Sequence, residues 1–93
     1  MYHLLFYDYV ENVVERRAPH RGAHLAFAQE RLEAGELLMG GAVGEPPHGG
    51  VLLFTTAEAA ETFAEADPYV KAGIVTGWRV EPWNVVIGSS SPD

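Results

Sequence analysis

The sequence has 93 residues, 47% of them hydrophobic and 11% aromatic, which suits one hydrophobic core and excludes both a disordered chain and a pair of domains. Thirteen acidic against six basic side chains give a net charge of −7, which repels a phosphate backbone, so nucleic acid is not an expected partner. There is no cysteine for a disulfide, an iron–sulfur cluster or a thiol nucleophile, no apolar run near the roughly 20 residues of a membrane span, and no basic leader at the start; a cytoplasmic protein with no membrane partner is expected.

In chain order, Tyr2 to Val10 is rich in aromatic and aliphatic residues and reads as a first strand. Its faces are His3, Leu5, Tyr7, Tyr9 and Leu4, Phe6, Asp8, Val10, both largely apolar. From about Arg17 to Ala34 the period becomes helical, with Arg21, Leu25, Ala28, Leu32 and Gly35 along one stripe. Pro19 is tolerable in or before the first turn, and Gly35 sits where a helix stops in a left-handed residue. Glu36 to Val43 reads as a second strand, Gly44 to Gly49 as a turn, and Gly50 to Thr55 as a third strand, apolar on both faces.

Thr55-Thr56-Ala57-Glu58 has the spacing of a capping box, which predicts a second helix running to about Ala66. Asp67 to Gly73 then makes a turn able to carry one short helical segment. Ile74 to Ile87 supplies the last strand, with an interruption expected near Pro82, which lacks a ladder donor. Residues 1–88 are expected to form one domain and residues 89–93 a flexible tail.

The order β-α-β-β-α-β predicts a ferredoxin-like α+β fold, a four-stranded antiparallel sheet with both helices on one face. A sheet with one wet face should alternate apolar and polar residues, and strands one and three do not. Something must cover the second face, and a second copy of the chain does so most economically, which predicts a homodimer in the form of a dimeric α+β barrel.

The acid–base groups available are four histidines, His3, His20, His24 and His48, and the carboxylates near turns. His24 borders the helical stripe one turn from Phe27 and Ala28, so partial burial is expected; burial beside a carboxylate makes an imidazole a useful base, whereas a single satisfied hydrogen bond makes it a boundary residue. Asp67, followed by Pro68, is suited to cap a helical turn. With the two helices side by side on the sheet, Asp67 can also reach His24 and fix its tautomer, and the pair becomes a candidate dyad. Arg16, Arg17 and Arg21 cluster at one helix end, either as an anion site or as partners of Glu11 and Glu15. His20 and His24, four apart, admit a metal reading with Asp67, although Pro19 disturbs the helical geometry on which it depends. No Gly-rich phosphate loop or other cofactor motif is present.

Arg17-Ala18-Pro19-His20-Arg21-Gly22-Ala23-His24-Leu25, Gly35 through Gly41, Asp67-Pro68-Tyr69-Val70-Lys71-Ala72-Gly73 and Val80-Glu81-Pro82-Trp83 together resemble the YCII-related (YciI-like) family over nearly the whole chain. The resemblance implies a ferredoxin-like dimer with a small pocket, His24 and Asp67 as its active-site pair, and Arg17 and Arg21 as substrate-binding residues at its edge. It also implies lyase or dehydrohalogenase chemistry on small ring compounds; with the His24–Asp67 pair and the arginines, a proton-transfer enzyme of lyase, dehydrohalogenase or isomerase type acting on a small anionic or ring-containing metabolite is expected. A non-catalytic dimer that binds a metabolite or a partner protein in the same pocket is the alternative. Gly41-Ala42 and Gly49-Gly50 depart from the Gly-Pro and Gly-Ser often found in relatives.

Overall fold

The computed structural model describes residues 1–88; the tail expected at 89–93 lies outside the described residues. Four strands, β1 (Tyr2–Tyr9), β2 (Leu37–Val43), β3 (Gly49–Phe54) and β4 (Val75–Trp83), form one antiparallel sheet in the order β2-β3-β1-β4. Four helices accompany them: α1 (Val13–Arg16), α2 (Arg21–Glu33), α3 (Ala57–Ala66) and α4 (Pro68–Lys71). This is the expected ferredoxin-like α+β arrangement. Among the described residues no helix is long and apolar enough to cross a membrane.

The first crossover differs from the single helix expected over 17–34. It is a short α1, a 3-10 turn over Ala18–His20 that begins at Pro19's neighbour, and then α2. Pro19 has no backbone N–H to continue an α-helical ladder, so the chain turns tightly there before α2 starts. At the far end Gly35 takes φ +80°, the left-handed stop expected of it.

The buried stripe of α2 is also displaced from expectation. Leu25 and Leu32 are 50% and 43% exposed, and the residues that turn inward are His24, Phe27, Ala28 and Arg31. Phe27 stacks on Phe63 of α3, which in turn packs on Phe54 of β3, with centroid distances of 4.9 and 5.3 Å. Around these rings gather Leu5, Tyr7, Leu37, Leu52, Ala60, Ala64, Tyr69, Ile74 and Val75 as one core. Burying an aromatic or large aliphatic side chain contributes roughly 1.5–3 kcal/mol, so the Phe54–Phe63 contact is a principal tie between sheet and helix.

Two smaller expectations are corrected. The hydroxyl that caps α3 is Thr56, whose Oγ1 accepts from the Ala59 N–H at 3.0 Å, so the third helical position is Ala59 and no capping box forms. Thr55 instead donates to the Glu36 carbonyl at 3.4 Å. The last strand ends at Trp83 and is continuous through Pro82, which pairs with His3. An edge strand tolerates proline because half of its N–H groups need no ladder partner, and β4 is an edge strand.

The face of the sheet away from the helices is apolar. Leu4, Met39, Val43, Val51, Leu53 and Trp83 line a shallow depression there, with Met39 67% exposed, while the Arg79 guanidinium lies 4.2 Å above the Phe6 ring.

Candidate active site

The site begins where the helical path is interrupted between α3 and α4. Pro68 disfavours helical geometry at the residue before it, and Asp67 accordingly has an extended backbone (φ −63°, ψ 127°) that ends α3 and starts α4. Its side chain is 0% exposed. Oδ1 accepts from the Tyr69 N–H at 3.0 Å, as a cap does, and also from His24 Nδ1 at 2.8 Å; Oδ2 accepts from the Tyr7 hydroxyl at 2.7 Å. A buried carboxylate is held without loss only when donors reach both oxygens, and here β1, α2 and α4 each provide one.

A carboxylate accepts and cannot donate, so the network assigns the Nδ1 proton to His24 and leaves Nε2 as the nitrogen available to the cavity that His24 lines. The imidazole is 12% exposed and lies parallel to the Tyr69 ring, at 3.8 Å and 2°, with the edge of Phe63 at 6.4 Å. The ring is thus fixed by one hydrogen bond and two aromatic contacts. His24 and Asp67, read from the sequence as a dyad, are brought together directly.

The cavity, about 240 Å³, is walled by Leu25, Ala28, Leu37 and Leu52, floored by the Gly40-Gly41-Ala42 stretch of β2, and edged by Arg17, Arg21, Tyr9 and Tyr69. A side chain at Gly40 would lie 3.1 Å from Leu52 Cγ, so that glycine lets the leucine seat against the backbone. Arg17 and Arg21 both reach the cavity; Arg16 and His20 do not. Ion pairs among the described residues are His24–Asp67, Arg31–Glu36 and Arg79–Glu81, so neither cavity arginine is neutralised by Glu11 or Glu15. Also among the described residues, no three His, Cys, Asp or Glu side chains are grouped as metal ligands.

Three tyrosines complete the site and were not read from the sequence as part of it. Burial, then the Asp67 charge and the hydrogen bond to it, push the Tyr7 hydroxyl far above the ordinary tyrosine range. Burial also raises Tyr69, against the opposing charges of Arg17 and Arg21. Tyr9 is raised by burial and by Tyr69, again against Arg17 and Arg21. The signal available in the sequence was the spacing of Tyr7 and Tyr9, two apart and therefore on one face of β1.

The YCII-related domain model matches residues 1–84. Protein YciI of Escherichia coli is 34% identical over 84 residues, covering 78% of this chain and 86% of that protein. An uncharacterized protein of Haemophilus influenzae is 30% identical over 97 residues, covering 92% of this chain and 99% of the other. Among solved structures, 5-chloro-2-hydroxyhydroquinone dehydrochlorinase (TftG) from Burkholderia phenoliruptrix, in complex with 2,5-dihydroxybenzoquinone, aligns with a TM-score of 0.70 and 26% identity over 90% of this chain and 94% of that one. On the strength of a domain match that runs through both halves of the His24–Asp67 pair, the chain belongs to the YCII-related family.

Proposed function

We propose that this protein is a small-molecule enzyme that moves a proton in an elimination, dehydrohalogenation or isomerisation of an oxygenated ring compound. The observation that carries the reading is the 2.8 Å contact from His24 Nδ1 to a fully buried Asp67, which leaves Nε2 for an apolar cavity edged by two arginines that have no acidic partner among the described residues. In this reading Nε2 accepts a proton from the bound ring. Its electron pair forms a new double bond, and in an elimination the leaving group departs with its bonding electrons. Asp67 stabilises the imidazolium so formed. Arg17 and Arg21 hold an anionic oxygen and offset charge that builds on it. The likeness to a dehydrochlorinase supports this class of chemistry.

The test is chloride release from 5-chloro-2-hydroxyhydroquinone by the wild-type protein and two variants. His24→Ala is expected to lower kcat by about 10²- to 10⁴-fold, the usual contribution of a positioned acid–base group. Asp67→Asn, which keeps a capping oxygen but loses the charge facing the imidazole, is expected to lower kcat with little change in KM. Turnover unaffected by His24→Ala rules the mechanism out, and binding of such rings without turnover leaves the protein as a binding module.

We further propose that the working form is a homodimer joined through the apolar sheet face. Helices α2 and α3 cover one face of the sheet; Met39, Val43 and Trp83 remain exposed on the other in a single chain.

A further inference from the structure

Tyr9 occupies the last position of β1, where the pairing with β4 slips by one residue: Asp8 faces Gly77, Tyr9 faces Val75, and Thr76 is the extra residue. Bulges of this kind re-aim a side chain. The backbone around Tyr9 is held on both sides, its own N–H donating to the His48 carbonyl at 3.0 Å and that of Val10 to the Ile74 carbonyl at 2.9 Å. The ring meets those of Tyr7 and Tyr69, each at 6.5 Å, and the side chain lines the cavity of His24 and the two arginines. Its hydroxyl lies against the bare backbone of Gly50, where a Cβ would fall 2.7 Å from the oxygen and 3.3 Å from Cζ.

The neighbouring Tyr7 hydroxyl is already committed, donating to Asp67 at 2.7 Å. The Tyr9 hydroxyl makes no hydrogen bond within the described residues, and its half-buried side chain shares the cavity with Arg17 and Arg21. A donor held in place by packing and left without a protein partner is available to a ligand oxygen.

We propose that Tyr9 is a substrate-binding residue, donating its hydroxyl proton in a hydrogen bond to an anionic oxygen of the ring held by Arg17 and Arg21, and that Gly50 supplies the space that keeps this hydroxyl in place. The inference rests on the reading of the cavity as a site for an oxygenated ring. It adds a donor from the sheet, opposite in origin to Arg17 after α1 and Arg21 at the start of α2, so that a ring carrying two separated oxygen substituents is preferred over one carrying a single oxygen.

The experiment is equilibrium binding of 2,5-dihydroxybenzoquinone, an acidic ring with oxygens on opposite sides, to the wild-type chain, Tyr9→Phe, Gly50→Ala and the double variant. Tyr9→Phe is expected to weaken binding about tenfold to a hundredfold, the range for a hydrogen bond to a charged group. Gly50→Ala is expected to weaken it comparably by displacing the hydroxyl. In the Tyr9→Phe background the same alanine is expected to cost clearly less, because the 2.7 Å contact with the hydroxyl is gone and only the 3.3 Å contact with Cζ remains. Wild-type-like binding by Tyr9→Phe, equal effects of Gly50→Ala in both backgrounds, or no binding by the wild-type chain overturns the proposal. Because the measurement is of binding alone, a protein that passes it and yet releases no chloride retains the Tyr9 contact and loses only the catalytic reading.

Discussion

Asp67 accepts hydrogen bonds from a tyrosine of β1, a histidine of α2 and a backbone N–H of α4, so one carboxylate ties three separate elements together. Removing the Tyr7 hydroxyl strips one oxygen of its donor, and Tyr7→Phe is expected to destabilise the fold by about 1–3 kcal/mol, measured by chemical denaturation near neutral pH. The same hydroxyl sets the behaviour in alkali. Tyr7, Tyr9 and Tyr69 are all raised in the folded chain, so the unfolded chain gives up these protons first as pH rises through the ordinary tyrosine value of about 10. Folded stability is therefore full below that value and falls above it. Tyr7→Phe, although less stable at neutral pH, is expected to lose stability less steeply between about pH 9 and pH 12. An equal alkaline slope in both proteins would remove Tyr7 as a source of the effect.

At the scale of elements, two adjacent threonines offer a direct comparison. Thr56 accepts from the Ala59 N–H at 3.0 Å at the start of α3, whereas Thr55 makes a longer contact to Glu36 at 3.4 Å. Thr56→Ala is expected to cost about 1 kcal/mol and Thr55→Ala clearly less, to be read from the shift in thermal midpoint. The sequence pattern pointed to this helix and its end, because Asp67-Pro68 is an unambiguous stop, but it placed the cap one residue early by favouring a glutamate at the right interval. The inward face of α2 was harder to read. Two of its four inward residues, His24 and Arg31, are polar and two exposed ones are leucines, so a count of apolar positions chooses the wrong side by about one residue. The His24–Asp67 pair was nevertheless legible, since both residues mark helix ends that the topology makes neighbours. The tyrosines were not, because an aromatic residue in a strand, such as Tyr7 or Tyr9, or in a short helix, such as Tyr69, is ordinary core material until its surroundings are seen.

For the whole molecule, the sheet's second face makes the strongest demand. In a single chain Met39 projects from that face at 67% exposure, so a charge at this position hardly disturbs the monomer's own core. The wild-type protein is expected to sediment at twice the chain's 10.1 kDa. Met39→Glu is expected to yield a monomer with unchanged helical circular dichroism, since burying an unpaired carboxylate between two sheets is costly. A wild-type monomer at micromolar concentration would refute the pairing.

The contacts of Asp67 also span long stretches of chain: 60 residues separate it from Tyr7 and 43 from His24. Loops of that length close late in folding, after local helices and hairpins have formed, because their ends must be brought together against chain entropy. The imidazole consequently acquires its orientation only when the second helix docks against the start of the fourth, and a nascent or partly unfolded chain holds a histidine whose ring is not yet oriented. On the proposed mechanism, activity is therefore expected only of a chain whose fold is complete.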